Sequence, residues 1–186
     1  MTDLDGVVLH VHGASTAAEQ VDAVADLYAD AFFPPPHNQG PTELGRMVDA
    51  WPRRLTAPGF RLVVATRGDQ AVGCIYGHQL QPGTKWWDGA LEPLPDDFTT
   101  EHDGRTLAII DMMVRERWRR HGIAEALHLH LLAGRSEERV TLLVDPINEP
   151  ARRAYIKWGY QVAGRIQPFP DSPKFEAMVK VLGIAN

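Results

Sequence analysis

The chain has 186 residues, 44% of them apolar, with 19 lysines and arginines against 24 aspartates and glutamates, a formal net charge of −5 at pH 7. At about 100–200 residues per domain this predicts a single domain, and apolar runs such as Leu107-Ala108-Ile109-Ile110 fall far short of the roughly 18 residues that span a bilayer, so no membrane partner is expected. The acidic balance argues against a nucleic-acid partner, which needs a basic surface, and the lone cysteine, Cys74, excludes an intrachain disulfide and a cysteine-based zinc site.

Met1-Thr2-Asp3-Leu4-Asp5 carries neither the basic patch nor the apolar stretch of an export signal. With the sparse cysteine use, this makes a cytoplasmic location the expectation. Residues 7–12 alternate weakly and predict a short strand. Residues 16–33 carry Val21, Val24, Ala25, Leu27, Tyr28 and Ala31 at helical spacing, and Pro34-Pro35-Pro36 ends that helix. A second helix is predicted over 42–55, with Leu44, Met47, Val48 and Trp51 on one side and a break near Pro52. Strand-like runs over 60–66 and 71–81 flank Arg67-Gly68-Asp69-Gln70, a turn composition that predicts an antiparallel hairpin.

Residues 82–105 have no period and are rich in proline, glycine and acid. Loops this long are functional or disordered, and Trp86-Trp87 favours function, as a candidate substrate lid, because disordered linkers seldom contain two tryptophans. Residues 106–114 are apolar on both faces, as a central buried strand requires. A helix over 122–134, a strand over 139–144, a short helix over 148–158 and a hairpin of strands over 160–166 and 174–182 complete the chain. The order β-α-α-β-β-β-α-β-α-β-β predicts an α+β (mixed α/β) domain spanning residues 1–186, built on a single mixed, largely antiparallel sheet with helices on both faces.

The charge is unevenly placed. Residues 88–103 hold six acids and no lysine or arginine, whereas residues 115–121 hold four arginines and one glutamate. The basic knot lies between a buried strand and a helix. The first amides of a helix lack intrahelical partners and sit at the positive end of its dipole, so such a turn is suited to an anion. Gly122 lets an oxygen approach without meeting a Cβ, Ala124 is small, and Arg119 and Arg120 add charge. A run of solvated arginines at a strand edge is the competing explanation.

Arg119-x-x-Gly122-x-Ala124 resembles the Arg/Gln-x-x-Gly-x-Gly/Ala signature of the GNAT superfamily of acetyl-CoA-dependent N-acetyltransferases. Starting 24 residues beyond Ala124, Asn148-x-x-Ala151-x-x-Ala154-Tyr155-x-x-x-Gly159-Tyr160 resembles the superfamily's second block. The likeness covers residues 106–182 well and the earlier elements only in their order. It implies that the coenzyme-binding core spans about residues 106–160, with backbone groups of Met112, Met113 and Val114 pairing with the pantetheine arm of acetyl-CoA. It further implies that Arg119, Arg120, His121, Gly122, Ile123 and Ala124 hold the diphosphate, that Asn148 bonds the pantetheine, and that Tyr155 stands near the sulfur.

The same residues can be read independently. Asn148 before Glu149-Pro150 makes a good helix N-cap, and capping alone accounts for it. Tyr155, two turns on, is either a core tyrosine or an acid whose pKa of about 10 suits protonation of a leaving thiolate. Asp111 shares a strand face with Leu107, Ile109 and Met113, where an unpaired carboxylate is costly, so it is either paired structurally or the base that deprotonates an amine. Glu101, His102 and Asp103 compete for that role. Trp86, Trp87, Asp88 and Glu101 are the candidate acceptor residues, able to attract a cationic amine and cover it with an aromatic face; a solvated loop is the alternative.

His10-x-His12 lacks a third ligand nearby, Cys74 reads as packed, and the zinc-protease, P-loop, dinucleotide and serine-hydrolase motifs are missing. No metal is expected. The sequence therefore points to an N-acetyltransferase moving an acetyl group from acetyl-CoA directly to a primary amine of a small, cationic molecule. The competing functions are a CoA-binding regulatory or sensor module without turnover and an acetyltransferase for protein or peptide amines. The resemblance also leaves room for a homodimer.

Overall fold

The computed structural model describes residue 4 and residues 6–183, so the reading of the Met1 to Asp5 segment lies, Leu4 apart, outside the described residues. The elements are β1 (Val8–His12), α1 (Ala14–Ala17), α2 (Val21–Phe32), α3 (Pro41–Leu55), β2 (Arg61–Arg67), β3 (Gln70–Gln79), α4 (Asp96–Thr99), β4 (Thr106–Val114), α5 (Ile123–Leu132), β5 (Arg139–Val144), α6 (Glu149–Lys157), β6 (Gln161–Ile166) and β7 (Phe175–Val181). Hydrogen-bonded neighbours follow the order β1-β2-β3-β4-β5-β7-β6 in a seven-stranded, mostly antiparallel sheet, so the chain has the expected mixed α+β class. Contacts divide the described residues into two compact units, one within residues 1–78 and 110–135 and the other within residues 79–109 and 136–186, and β4 contributes to both.

In the first unit β1 pairs antiparallel with β2, and β2 with β3 through the expected hairpin, from Arg61↔Gly77 to Arg67↔Gln70 with a bulge at Ala65/Thr66. The core is aromatic on one side: Tyr28 of α2, Met47 and Trp51 of α3, Phe60 just before β2, Leu62 and Val64 of β2, Cys74 and Tyr76 of β3, and Met113 of β4 belong to one buried cluster. Each such side chain removed from water contributes roughly 1.5–3 kcal/mol. Gly73 lets β3 and β4 approach, since a Cβ there would stand 2.8 Å from the Met113 carbonyl oxygen.

The break expected at Pro52 does not occur. Pro52 lies inside α3, which runs on to Leu55. A proline removes one helical hydrogen bond and crowds the preceding turn, but neighbouring side chains hold the helix through it. Trp51 is buried edge-on against Phe60 and Tyr76, and Arg54 in the last turn donates to the Tyr76 hydroxyl. The first predicted helix is divided as well, into α1 and α2 with a turn of 3-10 helix over Ala18–Gln20 between them.

In the second unit β4 starts parallel to β5, with a register from Thr106↔Arg139 to Ala108↔Thr141, and β5, β7 and β6 continue antiparallel. The segment 82–105 is folded onto this unit. Leu91 donates to the Arg165 carbonyl at 2.9 Å and Gln167 to the Gly89 carbonyl at 2.8 Å, an antiparallel bridge between Ala90 and Ile166 that extends the β6 edge. Beneath it Glu101, buried, accepts hydrogen bonds from the Trp87 indole (3.0 Å) and the Arg139 guanidinium (2.7 Å), while Arg139 also bonds Thr106 and the Phe98 carbonyl and lies over the Trp87 and Phe98 rings.

Candidate active site

In the first unit, β4 delivers Asp111, Met112, Met113 and Val114 into the basic turn. Met113 is buried, and the other three are half-buried. Arg115 anchors the exit of β4: its backbone bonds the Val72 carbonyl, its side chain the Ala71 carbonyl, and its guanidinium pairs with Asp26 and Asp30 of α2. Arg117 bonds Gln70, and its guanidinium and that of Arg67 both face the Trp118 ring. Arg115 is thus held within the fold, whereas Arg117, Arg119 and Arg120 are exposed, the last two beside the start of α5.

That start has an unusual backbone. Arg120 and Gly122 both have left-handed φ, 66° and 80°, and among the described residues no side-chain hydrogen bond caps α5. Non-glycine residues adopt this region at a cost of order 1–3 kcal/mol. Left-handed residues in a turn direct successive N–H groups into a concavity that suits an anion, and the α5 dipole adds to it. Arg119 Nε donates to the Val114 carbonyl at 3.1 Å and the Arg119 carbonyl lies 2.9 Å from His121 Nδ1, which together tie the turn to the end of β4. Arg119, Arg120, His121 and Gly122 make up this turn, and Ile123 and Ala124 open α5.

Asp111 is not alone. The Tyr76 hydroxyl donates to its Oδ2, Arg54 Nη1 donates to the Tyr76 oxygen at 2.7 Å, and Arg54 lies 3.9 Å from Oδ2. Burial pushes the Asp111 carboxyl above its ordinary value, opposed by the Arg54 charge and the Tyr76 hydrogen bond. Sequence reading missed Tyr76 and Arg54, which reach Asp111 only through the packing of α3 and β3 on β4.

In the second unit, Asn148 caps α6, accepting from Ala151 N at 3.4 Å, with Pro150 in the first turn. Tyr155 is buried in an aromatic group, its ring 5.7 Å from Trp158 and 5.6 Å from Tyr160, and Gly159 ends α6 at φ 91°. Trp87 and Asp88 come together on a concavity of about 260 Å³ that is completed by Thr84, Ala90, Leu94 and Thr99. Asp88 is exposed, and Trp86 is half-buried, its indole nitrogen buried and without a hydrogen-bond partner among the described residues. Glu101 lies beneath Trp87 as described, Glu92 is paired with Arg165, and His102 and Glu138 are 3.3 Å apart.

Residues 21–160 match the profile of the Acetyltransferase (GNAT) family, three quarters of the chain. The chain belongs to the GNAT acetyltransferase family. It is therefore an acetyl-CoA-dependent acyltransferase by family. No curated protein matches the sequence. Among solved structures it is similar to the ribosomal-protein-S18-alanine N-acetyltransferase of Escherichia coli (13% identity, 96% of this chain and 97% of that one, TM-score 0.63). It is also similar to the PaiA N-acetyltransferase of Thermoplasma acidophilum in complex with coenzyme A (9% identity, 95% and 99% covered, TM-score 0.60). An acetyltransferase of Thermus thermophilus matches at 14% identity, with 95% and 97% covered and a TM-score of 0.61. At these identities the likeness is one of fold.

Proposed function

We propose that this GNAT protein transfers an acetyl group from acetyl-CoA directly to a primary amine of a small, cationic molecule, as one domain with residues 82–105 covering the acceptor. The observation that carries the coenzyme assignment is the turn into α5. Its left-handed Arg120 and Gly122, uncapped helix start and two exposed arginines form a cradle for a polyanion. The diphosphate is assigned to Arg119, Arg120, His121, Gly122, Ile123 and Ala124, and the pantetheine arm to the backbone of Met112, Met113 and Val114 and to Asn148. β4 continues six residues past its short parallel register with β5, which supports giving its backbone groups to a ligand.

The bound coenzyme supplies the acyl group as a thioester. Asp111 takes a proton from the acceptor ammonium, so that the amine lone pair can form the new C–N bond. The N–H groups of Met113 and Val114 stabilise the negative charge that develops on the carbonyl oxygen. Tyr155 gives its proton to the sulfur as the C–S bond breaks, and the second proton that the new amide nitrogen must lose returns to the Tyr155 oxygen. Trp86, Trp87, Asp88 and Glu101 are assigned to the acceptor side, Asp88 as the exposed carboxylate and Glu101 as the buried support of Trp87.

The test is release of free thiol from acetyl-CoA against matched acceptors: short diamines, neutral monoamines of equal length, and peptides with free N-termini. The proposal expects kcat/KM for the diamines to exceed the monoamines by about tenfold, the effect of one favourable charge contact of about 1.4 kcal/mol. Turnover with peptides alone would transfer the function to a protein amine, the substrate type that the E. coli neighbour's name describes. Coenzyme binding without turnover on any acceptor would make the protein a CoA-binding module.

A further inference from the structure

We propose that Arg54 and Tyr76 are positioning residues that commit Asp111 Oδ2 to the protein and leave Oδ1 to take the acceptor proton. This rests on the reading of Asp111 as the base. The direction of the hydrogen bonds follows from the donors present. A guanidinium can only donate, so Arg54 Nη1, 2.7 Å from the Tyr76 oxygen, occupies the acceptor side of that hydroxyl. The hydroxyl proton then goes to Asp111 Oδ2, its carboxylate neighbour. The Tyr76 ring cannot swing away, since the residue is fully buried, with Trp51 edge-on at 5.2 Å and Phe60 at 6.5 Å. The Asp111 and Arg54 side chains, by contrast, each keep about a fifth of their surface exposed, so the carboxylate remains within reach of a ligand.

The arrangement solves a problem that a base in an apolar surround must face. Desolvation favours the protonated acid, which cannot accept a proton. Around Asp111 stand Tyr28 from α2, Arg54 from α3, and Cys74 and Tyr76 from β3; Glu43 of α3 acts on Tyr28. Burial together with the Asp111 charge raises the Tyr28 phenol to about 12 and pushes the Cys74 thiol up. Neither therefore carries charge at neutral pH. Among the described residues, the Arg54 cation and the Tyr76 hydroxyl are the groups that favour the carboxylate. Removing either raises the Asp111 pKa further and so moves the acidic limb of the rate profile to higher pH.

The test uses the full-length protein with 13C-labelled aspartate, the Asp111 carboxyl resonance being assigned by its loss in Asp111→Asn, and follows the midpoint in parallel with the pH profile of kcat/KM. In Tyr76→Phe both should move up by about one pH unit, a tenfold change in proton affinity. Arg54→Met, at a half-buried position on α3, should move them in the same direction and serves if Tyr76→Phe does not fold, while Arg54→Lys, which keeps the charge, should restore part of the shift. A carboxyl midpoint unchanged in both Tyr76→Phe and Arg54→Met overturns the positioning role, whatever Asp111 does. A midpoint that moves while the kinetic limb stays fixed overturns Asp111 as the base, and with it the proposal.

Discussion

Tyr155 is the residue at which chemistry and packing are hardest to separate. It is buried among Trp158 and Tyr160, which would suffice to explain a core tyrosine, yet by resemblance it stands where the second GNAT block has its tyrosine. Substitution by phenylalanine keeps the ring and its aromatic contacts and removes only the hydroxyl. Tyr155→Phe should lower kcat by about 100-fold, the lower end of the range for a lost general acid, with acetyl-CoA affinity by calorimetry essentially retained. Equal turnover would return Tyr155 to the core. Asp111 shows where single residues are legible in sequence and where they are not. Strand alternation marks it as a carboxylate in need of a partner. The partners themselves lie 35 residues upstream at Tyr76 and a further 22 at Arg54, and no local pattern connects them.

At the level of elements, helices and strands are readable because each carries its own periodicity. β4 and β5 coincide with the predicted ranges, and the β2–β3 hairpin follows from its Arg67-Gly68-Asp69-Gln70 turn. Pro52 misleads because its helix is held by tertiary contacts of Trp51 and Arg54, which outweigh one lost backbone bond. The segment 82–105 is legible only as functional or disordered, because its pairing partner, the end of β6, lies far along the chain. Gly89 makes that pairing possible: a Cβ there would stand 2.3 Å from the Gln167 carbonyl oxygen. Gly89→Ala should therefore lift the segment from β6 at a cost of about 1–3 kcal/mol. Hydrogen exchange at the Leu91 amide should accelerate by about 5- to 150-fold, since 1.4 kcal/mol is a factor of ten. Unchanged protection would mean that the segment is held by its Glu101–Arg139 support alone.

For the molecule as a whole, the net charge of −5 conceals two stretches of opposite sign, and they fall in different units. The acids of residues 88–103 are divided between internal partners, Arg165 for Glu92 and Arg139 for Glu101, and exposed positions such as Asp88. The arginines of residues 115–120 are divided in the same way, Arg115 turned inward onto Asp26 and Asp30, and Arg117, Arg119 and Arg120 at the surface. Sequence alone locates the basic turn and its glycine, because a short motif between a strand and a helix is local information. It does not say which arginines remain for a ligand. The central claim, that this turn binds the coenzyme, is tested most directly by calorimetric titration of acetyl-CoA into the wild-type protein and Gly122→Glu. The substitution places a carboxylate in the anion cradle and strains a left-handed position by about 1–3 kcal/mol, so circular dichroism is recorded first, below the melting transition, to confirm a native fold. One coenzyme per wild-type chain, with at least about a 100-fold weaker Kd in the variant, a loss of about 2.7 kcal/mol, is the expected result; equal affinity in the two proteins would contradict it.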